Sequence, residues 1–81
     1  NDPTLYVYRG FTYVFDNSVQ GSGHPFRIQS STGLSGTAYT AGQTGSGESV
    51  LYWTVPMNAP TTLYYQCTNH ALMNGTITVV S

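Results

Sequence analysis

Three side chains with an affinity for soft metals stand three residues apart in one short run, Cys67-Thr68-Asn69-His70-Ala71-Leu72-Met73. The chain has one cysteine, two histidines and two methionines in 81 residues, so this run holds the only thiol and half of the imidazoles and thioethers. A thiolate, an imidazole and a thioether are most of a soft-metal site, and the second imidazole has a single source, His24. Two histidines and a cysteine with a weak axial methionine form the ligand set of a blue-copper electron-transfer centre, tuned by the axial donor and by dryness around the sulfur. His24, Cys67, His70 and Met73 are therefore candidate ligands for one copper ion, Cu+ or Cu2+.

The same side chains admit other chemistry. Zinc held by the cysteine, two histidines and a water uses these donors, but structural zinc takes four strong ligands and a thioether is a poor one. A Cys–His nucleophile needs a third polar group to orient the imidazole and a cleft for substrate, and no acidic residue lies near either histidine in the sequence. The chain is accordingly read as a non-enzyme. Taken singly, Cys67 reads as a small core residue, Met73 as a gap filler and the histidines as surface groups. The gathering of such scarce residue types into one set favours the metal.

The elements that must position these residues are strands. Thr62 to Cys67 leads into the Cys-x-x-His-x-x-Met run and Gly75 to Val80 leads out of it, which makes the run a loop anchored at both ends. In the first of these, Leu63, Tyr65 and Cys67 share a face, so the thiol points inward. His24 to Ser30 reads as a strand that carries His24 on the face of Phe26 and Ile28, with Pro25 near its start where a missing N–H is tolerated. Thr4 to Arg9 and Phe11 to Asp16 are aromatic and β-branched runs separated by Gly10, and Asn17 to Gly23 is rich in turn formers. Ser49 to Val55 alternates Leu51, Trp53 and Val55 against Val50, Tyr52 and Thr54. Ser31 to Glu48 is mostly Gly, Ser and Thr, and reads as a long loop with one short edge strand at most, the least ordered part of the chain. No helix-period run is present. The pattern supports an all-β fold, a small Greek-key β-sandwich of six to seven strands in a single domain over residues 1–81.

Composition narrows the partners. Arg9, Arg27, Asp2, Asp16 and Glu48 are the only charged residues and there is no lysine, so no basic patch can neutralise phosphates or an anionic membrane. No apolar stretch approaches the length of a membrane span, and a start at Asn1 suggests a soluble piece processed or excised from a longer chain. A net charge of −1 gives little protection against self-association, which suits a module inside an assembly. Seven tyrosines cover sheet faces, and a stripe of Tyr6, Tyr8 and Tyr52 could dock a neighbour. Stability should be small, roughly 4 to 12 kcal/mol for this length. Asn74-Gly75-Thr76 fits the N-glycosylation pattern, which counts only where the source glycosylates.

Tyr64 to Gly75 resembles the C-terminal copper loop of the cupredoxin, or blue-copper, family, and its Cys-Thr-x-His-x-x-Met spacing is closest to the short amicyanin-like form. His24-Pro25-Phe26 resembles the His-Pro-Phe segment that carries the type 1 copper histidine in multicopper oxidases. Pro3 to Phe15 and Gly75 to Val80 are similar to the opening and closing strands of small plastocyanin-like cupredoxins, so the resemblance covers nearly the whole chain. Asn69 stands where many cupredoxins have proline, and Pro25 where plastocyanin-like members often have asparagine. The resemblance implies type 1 copper, one-electron transfer to a redox protein partner, and a periplasmic or extracellular setting. If copper is bound, electrons should pass at His70, which lies on the loop rather than within a strand and beside the small or apolar Ala71 and Leu72. The tyrosine-rich, charge-poor character is similar to cupredoxin-like modules of marine phage structural proteins, which implies instead a decoration or adhesion domain in a virion, with copper incidental.

Overall fold

Period-two alternation along residues 50–54 turns into a strand whose faces differ: Leu51 and Trp53 are buried while Tyr52 and Thr54 are exposed. The computed structural model describes residues 3–16, 26–45, 50–67 and 74–81. Within them lie seven strands, β1 Leu5–Tyr8, β2 Thr12–Asp16, β3 Phe26–Gln29, β4 Gln43–Gly45, β5 Val50–Thr54, β6 Thr62–Cys67 and β7 Asn74–Val80. The chain is all-β, as expected, and among the described residues no helix is long and apolar enough to cross a membrane.

The strands form two sheets, a four-stranded one in the order β1-β7-β6-β3 and a three-stranded one in the order β2-β5-β4. Neighbours pair antiparallel except β1 and β7, which run parallel with Leu5 opposite Ile77 and Tyr8 opposite Val80. Val7, Ile28, Leu63, Ile77 and Val79 from the first sheet bury against Leu51 and Trp53 from the second, with Val55 and Ala59 closing the core. Trp53 keeps its one polar atom satisfied, Nε1 donating to the Ala41 carbonyl at 3.1 Å, and its ring meets Tyr39 edge-on.

Turns 8–11 and 55–61 and the C terminus meet at one end of the sheets. Gly10 N donates to Val55 O at 2.8 Å, Arg9 N donates to Val80 O at 2.9 Å, and the Arg9 guanidinium donates to Ala59 O and Ser81 Oγ. Gly42 is required for close approach: its φ is +80°, and a Cβ there would run into the Thr54 carbonyl.

Two expectations change. Of the stretch Ser31 to Glu48, expected as the least ordered part, the described residues 31–45 are tied to β3 by a buried amide. Gln29 donates from Nε2 to Ser31 O at 2.9 Å and Gly33 O at 2.8 Å, and accepts from Arg27 Nε at 2.8 Å. Ala38 then bridges back to Gln29, and Tyr39 N donates to Ile28 O at 2.8 Å. The tyrosine stripe also divides. Tyr6, Tyr8 and Tyr52 are all exposed, but the first two stand on the outside of the four-stranded sheet and Tyr52 on the outside of the other. Alternation sets which face of a strand is outward, but not which sheet the strand joins.

Leu63→Ala should cost about 2–5 kcal/mol in urea denaturation, because Leu63 is fully inaccessible at the centre of the core. Tyr52→Ser, on the open face, should change the midpoint by less than about 0.5 kcal/mol equivalent.

Candidate metal centre

Cys67 is the one candidate ligand within the described residues. It is the last residue of β6, 6% exposed, on the face of Leu63 and Tyr65. The inward phase expected for the thiol is therefore the phase observed. Its partner across the ladder is Phe26, the first residue of β3, and Gln66 just before it pairs with Asn74, the first residue of β7. The three strand ends that lead toward the remaining candidates thus sit side by side at one edge of the four-stranded sheet.

His24, His70, Met73, Ala71 and Leu72 lie outside the described residues, as do Pro25 and Asn69. Among the described residues no three His, Cys, Asp or Glu side chains come together. Trp53 stands near the end of β5 that meets turn 55–61, toward the opposite end of the molecule from Cys67. Leu63 and Tyr65 are the apolar neighbours that β6 itself supplies.

On the face of β6 turned away from the thiol, Thr62 is exposed and Tyr64 half-buried, but the last residue is not wet. Gln66 is buried, its Nε2 donating to the Cys67 carbonyl at 2.9 Å. That bond holds the backbone at the point where the chain leaves β6, using a side chain from the opposite face to the thiol. Sequence reading passed over Gln66, since a glutamine alternating with core residues looks like a solvent-facing position.

A second surface feature lies at the other end. Phe11 is 63% and Met57 75% exposed; the ring of Phe11 lies 5.8 Å from that of Tyr8, and Met57 Sδ lies 3.5 Å from where a Gly10 Cβ would be. Neither Phe11 nor Met57 drew attention in the sequence, because each is a single apolar residue next to a turn.

Comparison with protein-family models, with curated proteins and with solved structures finds no match to this chain.

The metal-free protein should react with a disulfide reagent at Cys67 far more slowly when folded than in strong urea, since a thiol this buried waits on local opening. Equal rates in the two conditions, followed by absorbance of the released thiolate, would place the thiol at the surface.

Proposed function

We propose that the chain is a type 1 copper module for one-electron transfer, with His24, Cys67 and His70 as strong donors and Met73 as the axial thioether. The observation that carries this reading is the pairing of Phe26 with Cys67. A chain segment spans at most roughly 3.3–3.6 Å per residue, so His24 can lie no more than about 7 Å from the Phe26 Cα, and His70 no more than about 11 Å from that of Cys67. Met73 directly precedes Asn74, whose partner Gln66 adjoins Cys67. Two donors far apart in sequence are in this way joined to neighbouring strand ends by short tethers.

The donor chemistry fits as well. A buried thiol flanked along its strand by Leu63 and Tyr65 favours a soft ion over a hard one, and the lack of acidic side chains among the candidates disfavours oxygen-seeking metals. When bound, copper supplies a Cu+/Cu2+ couple. The chain's part is to exclude water from the thiolate, hold the two imidazoles against it, and leave His70 with Ala71 and Leu72 for contact with a redox protein partner.

A second reading, from the class of structural proteins, draws on the exposed Tyr8, Phe11 and Met57 group: the domain attaches to a parent assembly, an oligomer or a virion, and copper is unnecessary for attachment. The open edge of β1 is a poor route for it. Tyr8 N is already taken by the Tyr13 hydroxyl at 2.7 Å and Tyr8 O by Phe11 N, so the last residue of that edge is not open to another strand.

Titration with Cu(II) should produce an intense visible thiolate-to-copper band, and Cys67→Ser should abolish it; a band of full strength in that variant, or none in the parent protein, ends the copper reading. Met73→Leu should keep the metal and raise the potential in voltammetry, because losing a weak axial donor favours the reduced ion. Leu72→Asp should slow electron exchange while leaving the spectrum nearly unchanged. Added salt should have little effect on the parent's rates, given a net charge of −1. A steep salt dependence would overturn the apolar route through His70.

A further inference from the structure

Tyr65 stands on β6 between Leu63 and Cys67, with Ile28 of β3 opposite it on one side and Gly75 of β7 on the other. The tyrosine–glycine pairing is a matter of space. A Cβ on Gly75 would stand 2.5 Å from Cζ and 2.7 Å from Cε2 of Tyr65, and would also collide with its hydroxyl, whereas carbons make contact at about 3.5–4.0 Å. The outer half of the ring therefore occupies the place where any other residue at position 75 would put a side chain. Beyond β7, Tyr65 Oη donates to the Pro3 carbonyl at 2.5 Å, on the segment leading into β1. One side chain reaches from β6 across β7 to the approach of β1, following the order of the sheet.

The location gives this brace its interest. It lies two residues before Cys67 leaves β6 and one residue after Asn74 begins β7. Spacing between those two strands at that level decides where the thiol points, because Cys67 ends the ladder and has no further β6 residue to steady it. We propose that Tyr65 is a positioning residue for Cys67: seated over Gly75 and bonded to Pro3, it fixes the strand ends from which the thiol is presented. The functional meaning rests on the copper reading, while the brace itself requires no metal.

The test uses the full chain in four forms: parent, Tyr65→Phe, Gly75→Ala, and Tyr64→Phe as a control on the opposite face of β6. Two quantities are read, the rate at which a disulfide reagent labels Cys67 in metal-free protein and the intensity ratio of the thiolate-to-copper bands after Cu(II) addition. Tyr65→Phe keeps the ring and removes the hydroxyl that donates to Pro3, so it should fold; labelling should quicken about two- to tenfold, the local opening that one net hydrogen bond withholds. Its band ratio should shift, since that ratio reports the angle of the sulfur to the metal, which a purely structural role would leave alone. Gly75→Ala, which displaces the ring, should move both quantities further in the same direction, and Tyr64→Phe should move neither. Parent-like labelling and band ratio in Tyr65→Phe overturn the proposal, and so does faster labelling with an unchanged ratio, which reduces Tyr65 to a stability role. If the parent shows no thiolate band, the copper reading fails by itself; the labelling rates then decide, with quickening in Tyr65→Phe but not in Tyr64→Phe supporting the brace and equal rates removing it.

Discussion

Strand β6 is held from both sides, by β3 through Phe26–Cys67 to Gln29–Tyr64 and by β7 through Thr62–Thr78 to Gln66–Asn74, and the remainder of the four-stranded sheet follows from that double pairing. Because side chains alternate with a period of two, its register allows no single-residue slip: moving β6 by one position would turn Leu63 and Cys67 outward and carry Gln66 into the apolar core. Both outcomes are costly, the first by loss of buried apolar surface and the second by placing an amide among Ile28, Ile77 and Val79. A strand with Leu63 and Cys67 buried on one face and Gln66 buried on the other is held to its register most firmly at its last two residues, and this is the strand that ends in the thiol.

Amides, not ion pairs, give the outer face its order. With five charged residues the chain has few means of making salt bridges, and Arg27 spends its guanidinium on neutral acceptors, the Gln29 side chain and the Leu34 carbonyl at 2.8 Å. A hydrogen bond from a charged donor is stronger than a neutral one, and none of it is screened away with a counter-charge. Gln29 in turn gathers the carbonyls of Ser31 and Gly33, and Gly36 lies so close that a side chain there would strike both Gln29 Nε2 and the Ser31 carbonyl. The turn over residues 31–36 is therefore built around a polar core of its own.

How much of this was legible follows from the kind of interaction involved. Strands with strict apolar alternation, 50–54 and 62–67, could be read to within a residue, because burial imposes the period directly. The ordered 30–45 segment could not, since glycine, serine and threonine carry no apolar period and the organising contact is one glutamine reaching two and four residues forward. Nor could the parallel β1–β7 pair, whose partners are the two ends of the chain. At the candidate centre, the inward phase of Cys67 was legible from alternation, whereas its pairing with Phe26 required knowing which strands are neighbours. Tyr65 and Gly75 were visible as residue types but not as a pair, because a glycine in a strand signals close approach without saying of what.

Under the copper reading, this arrangement also settles how binding free energy would be used. Bringing residue 24 to residue 67 closes a loop of more than forty residues, a cost that grows with the logarithm of loop length and is of the order of a few kcal/mol. That closure is already made by the β3–β6 ladder, and the two ends of the 68–73 segment are joined by β6–β7, so the long-range closure would not fall to a metal. Ligation that finds its long-range closure complete leaves more of its free energy for affinity and for geometry. The core cluster that includes Trp53, Ile28, Leu63 and Ile77 is also formed without Cys67 as a member. A module of this design keeps its exposed Tyr8, Phe11 and Met57 end a strand length away from Cys67, so attachment at one end and chemistry at the other would make separate demands on the same small sandwich.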